Sequence, residues 1–206
     1  MKTSNLNIFK VADYILANDQ IKNSPITHNK LQKLLYYVKV WSLVAEMPLI
    51  PESFYKIKNG TVNKEIFAKY KEFGDSVPFS QKSDFSLKKE EKQLIDFIVE
   101  NYIDLDNNTL SQLIQSELPW QQTAENEMIP EHLIKNYYSS LPFAKNFPLN
   151  VKKPFYPIIS LMDYAFIFDF NQTDYKIENE IYYFKNYKEY QQQKEKIKKQ
   201  FQAIFG

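Results

Sequence analysis

Between Ile26 and Trp41 the chain reads ITHNKLQKLLYYVKVW, and the spacing of its apolar residues sets the first expectation. Leu31, Leu34, Leu35, Val38 and Trp41 fall along one side of a helix, with Tyr36, Tyr37 and Val40 beside them. Such a helix is either buried nearly all round or keeps one face for a partner. Upstream, Leu6 to Leu16 places Phe9, Ala12, Ile15 and Leu16 on one helical face, ANDQIKNSP supplies polar breakers, and Thr27 offers an N-cap hydroxyl. The two segments predict an antiparallel helical hairpin. Pro48 and Pro51 cannot continue a helix, so the second one ends near EMPLIP.

The next apolar run, Phe54 to Ile57, reads as a short extended piece followed by a turn at Asn59-Gly60. A third helix is expected from about Asn63 to Phe73, closed by Gly74 as its C-cap. VPFSQKSDF reads as loop. Acidic residues at Glu90 and Glu91 then suit the first turn of a helix whose apolar face carries Leu94, Ile95, Phe97, Ile98 and Tyr102. DLDNNT breaks that pattern, and Asn108 or Thr109 can cap a short helix through Leu110, Leu113 and Ile114, ended by Pro119. Pro130 fits a helix N1 position ahead of Leu133, Ile134, Tyr137 and Tyr138.

Past residue 140 the pattern changes. Pro142, Pro148, Pro154 and Pro157 interrupt any helix, and FYPIISLMDYAFIFDF and KIENEIYYF are rich in strand formers. They predict a carboxy-terminal antiparallel β-hairpin, followed by a lysine-rich terminal helix anchored by Tyr187, Ile197, Phe201 and Ile204. The expected fold class is therefore mainly α: a compact helical domain over residues 1–145, with a small C-terminal β-hairpin and basic helix over residues 146–206 packed on it.

Composition narrows the function. A chain of 206 residues can bury a sizeable core, and with no cysteine it has no disulfide, thiol nucleophile or cysteine zinc site. No leader-like or membrane-spanning apolar run is visible, so a cytoplasmic protein is expected. Net charge is only +1, and every one of the 26 basic residues is a lysine. Bidentate arginine contacts to guanine or phosphate are thus excluded, which disfavours nucleic acid as a partner.

Catalytic patterns are equally sparse. His28 and His132 each sit near a helix start, where a neutral imidazole could act as a base, but neither has a Cys, Ser or Asp motif beside it. Both read as surface residues of a first turn. Glu90-Glu91 and Glu125 to Glu127 lack histidine partners and read as solvated. The three glycines, Gly60, Gly74 and Gly206, are too far apart to cradle a phosphate. No enzyme activity, cofactor or metal is expected. What remains is an aromatic surplus, 15 tyrosines and 16 phenylalanines, suited to a recognition surface. Trp120, in SELPW, reads either as an anchor for a partner or as a core plug. The stretch from Lys185 to Lys199 reads as a solvated helix face, or as a track for phosphates or an acidic protein.

The segments VADYIL, ITHNKLQKLLYYVKVWSLV, PLIPESFYKIKNGTVNKEIFAKYKEFG, LKKEEKQLIDFIVENY, LSQLIQSELPW and IPEHLIKNYY, in that order, resemble the Panacea domain, the SocA-like antitoxin or phage-associated protein family, over roughly Met1 to Ser140. The most specific part is LQKLLYY. The carry-over covers Leu31, Lys33, Leu34, Tyr36 and Tyr37, then Gly60 and Val62, then Pro119 and Trp120. Departures are Tyr55 where the family typically has tryptophan, Thr61 within a turn that is typically Gly-Pro-Val, and Gln115 where a histidine is often found. The resemblance implies an antitoxin that binds and neutralises a toxin encoded beside it, or, as in one branch, an adaptor that delivers the toxin to an ATP-dependent host protease. The competing readings are a DNA-binding regulator using the lysine-rich tail, a hydrolase or metal enzyme using His28 or His132 with carboxylates, and a phage counter-defence protein. On these grounds Tyr37, Tyr55, Lys58, Asn59, Gly60 and Trp120 are the expected partner-binding residues, and the carboxy-terminal segment is the expected selector of this protein's own toxin.

Overall fold

A computed structural model describes residues 6–17, 26–73, 86–103, 105–141, 144 and 199. The chain divides into units 1–140 and 141–206. The first is mainly helical: α1 (Ile8–Ala17), α2 (His28–Val44), a hairpin of β1 (Tyr55–Ile57) and β2 (Gly60–Val62), α3 (Lys64–Tyr70) extended by a 3-10 turn at Lys71–Phe73, α4 (Lys89–Tyr102), α5 (Asn107–Ser116), the single-turn α6 (Leu118–Gln121), and α7 (Glu131–Ser140). The small antiparallel sheet thus lies in mid-chain. The expected carboxy-terminal β-hairpin and all but Lys199 of the terminal helix fall outside the described residues.

Helix α2 is the axis of the unit. Thr27 Oγ1 accepts from the Lys30 N–H at 3.2 Å, as an N-cap should. Every α2 residue except Asn29 and Leu43 is buried, because α1, α3, α4, α5, α7 and β2 all pack against it. The first alternative for this helix is the correct one: it is buried nearly all round. Several of its polar residues are therefore partnered inside. Lys39 Nζ bonds Glu131 of α7 at 2.7 Å and the Ile50 carbonyl at 3.0 Å, and Ser42 Oγ accepts from Leu49 N–H. The helix closes before its prolines, in a Schellman motif. Met47 N–H bonds Ser42 O, Glu46 N–H bonds Leu43 O, and Glu46 takes the left-handed φ of 56°.

Helix α1 buries Ile8, Val11, Ala12 and Ile15, whereas the expected face members Phe9 and Leu16 are only half-buried. Both stripes satisfy the helical period, and docking on α2 and α4 selects one. The Tyr14 hydroxyl ties α1 to α4, donating to Asp96 at 2.9 Å. Helix α4 buries Leu94, Ile95, Phe97 and Ile98 as expected, with Tyr102 half-buried, and Glu91 reaches back to the Lys88 N–H at 2.8 Å.

Two caps differ from expectation. Helix α5 is capped by Asp106, which accepts from Asn108 and Thr109 N–H at 2.8 Å, so those two residues lie inside the first turn. Pro119 occupies the first turn of α6, where its missing N–H costs nothing, and so begins a helix as well as following one. Pro130 precedes α7 and its carbonyl accepts from Leu133 and Ile134. Gly74, the expected C-cap of α3, lies outside the described residues. Among the described residues no helix is long and apolar enough to cross a membrane.

Candidate partner-binding surface

The hairpin pairs Tyr55 with Val62, Lys56 with Thr61 and Ile57 with Gly60, leaving Lys58 and Asn59 as a two-residue loop. The expected turn is thus displaced by one position, and Gly60 is the first residue of β2. Its φ of +127° is a conformation open to glycine and strained for other residues. A Cβ there would meet nothing closer than Lys33 Cε at 3.8 Å, so glycine is required by backbone geometry and not by crowding.

On its other edge β1 is held by the 126–129 segment. Lys56 N–H donates to Glu127 O, Asn126 N–H to Lys56 O and Ile129 N–H to Phe54 O, each at 2.9 Å. The hairpin is fastened to α2 by Gln32, whose Oε1 accepts from the Asn63 N–H at 2.8 Å while its Nε2 donates to Asn63 O at 3.2 Å. One side chain therefore completes both backbone groups of a buried residue, as a neighbouring strand would. Asn63 in turn caps α3, accepting from Glu65 and Ile66 N–H, and donates to Ser53 O.

Trp120 of α6 lies half-buried against this hairpin. Its Nε1–H donates to Gly60 O at 2.7 Å. Lys56 Nζ sits 3.9 Å from the ring centroid and donates to Thr123 O at 2.8 Å. Lys58 and Asn59 are exposed at the tip, where Gln115 Nε2 donates to Lys58 O at 3.3 Å. Tyr55 is half-buried on the opposite face from Lys56, with Lys64 Nζ 3.7 Å from its ring centroid. Leu118 beside Trp120 and Met128 opposite Tyr55 are exposed at 46% and 48%.

The structure thus sets exposed Lys58 and Asn59 and half-buried Trp120 around the hairpin tip, with Gly60 buried beneath the Trp120 bond, Tyr55 on the opposite face of the hairpin, and Tyr37 apart. Tyr37 is 0% exposed, so it is a core residue and cannot face a partner in this fold. Its hydroxyl donates to Glu117 Oε1 at 3.1 Å, Tyr138 donates to Glu117 Oε2, and the Tyr37 and Tyr102 rings stack at 3.9 Å with 7° between planes. Burial pushes the Glu117 carboxyl up to about 8, against the opposing pull of the two tyrosine donors. The same burial and the Glu117 charge hold Tyr37 and Tyr138 well above the ordinary phenol value.

Sequence reasoning missed Glu117. A glutamate between Ser116 and Leu118 gives no periodic signal, and only the fold shows that α2, α4 and α7 turn tyrosines toward it. It also misplaced His28, which is buried against Phe67 with ring centroids 5.5 Å apart and is not a surface residue. Burial first, and then the Lys33 charge, lower its pKa. His132 is exposed as expected. Among the described residues no group of three or more His, Asp or Glu could hold a metal ion.

The hairpin, α5 and α6 that build this surface occupy one continuous stretch of sequence together with most of α2. Residues 31–121 match the model of the family described as antitoxin SocA-like, Panacea domain. The resemblance read from the sequence is therefore borne out across that stretch. It runs from Leu31 of the central helix to Gln121, the last residue of α6, and contains all the residues expected to bind a partner. No curated protein and no solved structure matches the chain. Within the Panacea segment the departure at Gln115 has a clear place. Its side-chain N–H meets the hairpin tip and supplies a donor there.

Proposed function

We propose that this protein is an antitoxin that neutralises a cognate toxin, encoded nearby, by direct protein–protein binding and without catalysis. The observation that carries this reading is the match of residues 31–121 to the SocA-like antitoxin family. The geometry supports it in one respect: an ordered hairpin tip beside a half-exposed tryptophan offers a preorganised anchor of the kind that dominates binding energy at protein interfaces. Neutralisation by occlusion requires affinity and no reactive group. Tyr55, Lys58, Asn59, Gly60 and Trp120 are the residues assigned to that contact, while Tyr37 supports it from the core.

The test is co-expression with each neighbouring small open reading frame, scoring growth and then co-purification. Rescue of a toxic neighbour with a stable complex is the expected result. Rescue that leaves no complex and disappears in a strain lacking an ATP-dependent protease would replace sequestration by the adaptor mechanism. Absence of any toxic neighbour would overturn the antitoxin reading and leave the match reporting fold alone.

A further inference from the structure

Two lysines of this unit pair with carboxylates: Lys39 bonds Glu131 at 2.7 Å and Lys69 bonds Asp13 at 3.4 Å. The lysines around the hairpin meet neutral groups. Lys33 Nζ donates to Asn107 Oδ1 at 2.7 Å and Asn29 O at 3.3 Å. Lys56 has Thr123 O and the Trp120 ring, Lys64 has the Tyr55 ring, and Lys58 is exposed at the tip. Among the described residues none of these ammonium groups has a carboxylate within ion-pair distance.

The sequence explains this, because Ser53 to Lys64 contains Lys56, Lys58 and Lys64 and no acidic residue. The nearest carboxylates along the chain are otherwise employed or stand outside the tip. Glu117 points inward to Tyr37 and Tyr138, Asp106 caps α5, and Glu52 accepts from the Ile8 N–H. Glu65 is exposed in the first turn of α3, and Glu125 and Glu127 are exposed on the segment beside β1. Carbonyls and aromatic faces hold these lysines in place without cancelling their charge. Lys56 lies on one face of the hairpin, Lys64 of α3 sits over Tyr55 on the other face at the base, and Lys58 stands at the tip, so positive charge runs along the hairpin, with exposed Leu118 and Met128 nearby.

We infer that the hairpin is the docking point for an acidic segment of a partner protein, one that wraps it to present carboxylates to Lys56, Lys58 and Lys64 and an apolar side chain to the Trp120–Leu118 corner. This deepens the antitoxin reading and rests on it for the identity of the partner. A protein is favoured over nucleic acid because the chain has no arginine and a net charge of only +1.

The experiment titrates the full chain with fluorescein-labelled synthetic peptides of equal length, one of Glu and Leu and one of Lys and Leu, and with a short single-stranded DNA. Wild type should bind the acidic peptide more tightly than the basic one by about tenfold, less so as salt rises, and K58E/K64E should lose about tenfold while its melting temperature is unchanged. Equal binding of both peptides, or unchanged binding by K58E/K64E, overturns the proposal. Tighter binding of DNA than of the acidic peptide, lost in the same variant, overturns it in favour of a nucleic-acid face. If K58E/K64E fails to fold, K58Q/K64Q takes its place, with an expected loss of about threefold. A growth arm separates the two readings. Rescue by K58E/K64E equal to wild type overturns the docking point and leaves the antitoxin standing. Failure of wild type to rescue any neighbour removes the antitoxin, while the peptide titration still decides the surface.

Discussion

At the scale of single residues, two positions concentrate the chemistry of this unit. Gly60 holds φ at +127° with open space where a Cβ would stand. Gly60→Ala should therefore lower stability by about 2 kcal/mol through backbone strain alone, read as a shift of the urea midpoint, and should displace the loop that receives the Trp120 and Gln115 bonds. Glu117 is a buried carboxyl whose folded pKa, about 8, lies above its ordinary 4.5. Between those values the folded state holds a proton that the unfolded chain releases. Its contribution to stability is thus full below about pH 4.5 and is lost as pH rises through about 8, with a slope of at most about 1.4 kcal/mol per pH unit. Urea denaturation across that range should show the fall in wild type, and Glu117→Gln, which cannot ionise, should flatten it. A parallel decline in both proteins would assign the effect to other groups.

Among the elements, α2 is stabilised by what its polar side chains do as much as by its leucines. Gln32 satisfies both the N–H and the carbonyl of buried Asn63. Gln32→Ala would leave the Asn63 N–H unpaired, while its carbonyl keeps the Phe67 N–H at 3.0 Å, and should cost about 2 kcal/mol, whereas Gln32→Glu should keep the acceptor that this N–H needs. The end of α2 offers the opposite case. Glu46 occupies the left-handed position of a Schellman motif at φ 56°, where glycine is normally preferred. Glu46→Gly should raise stability by about 0.5–1 kcal/mol, the relief of strain exceeding the added freedom of the unfolded chain, and thermal melts would show it as a shift of about 1–3 °C. A fall in melting temperature would mean that Glu46 makes a contact worth more than its strain.

For the molecule as a whole, the core and the candidate surface should respond differently to truncation. Tyr37→Ala removes a ring stacked on Tyr102 and a hydroxyl bonded to Glu117, and should cost about 4 kcal/mol, lowering toxin rescue only together with the melting temperature. Trp120→Ala acts on a half-buried ring at the edge of the hairpin and should reduce co-purification with the partner more than about tenfold while much of the fold's stability remains. Circular dichroism melts beside pull-downs would separate the two. Equal behaviour of the two variants would place Trp120 in the core class as well.

What the sequence determined by itself are the features set by short-range physics. Thr27 is legible as a cap because a small polar side chain before an apolar period satisfies the first free N–H groups of a helix. The order of helices, the need for glycine near residue 60 and the Panacea segment could be read the same way, since each rests on local spacing. Tertiary structure decided what depends on residues far apart in the chain. Whether α2 is buried on one side or all round, which stripe of α1 faces inward, and that Tyr37 belongs to the core and Trp120 to the rim follow from how many elements pack against each. The Glu117 cluster is the clearest instance. Its donors come from Tyr37 and Tyr138, 80 and 21 residues away, and a carboxylate acquires a raised pKa only when folding removes water from around it.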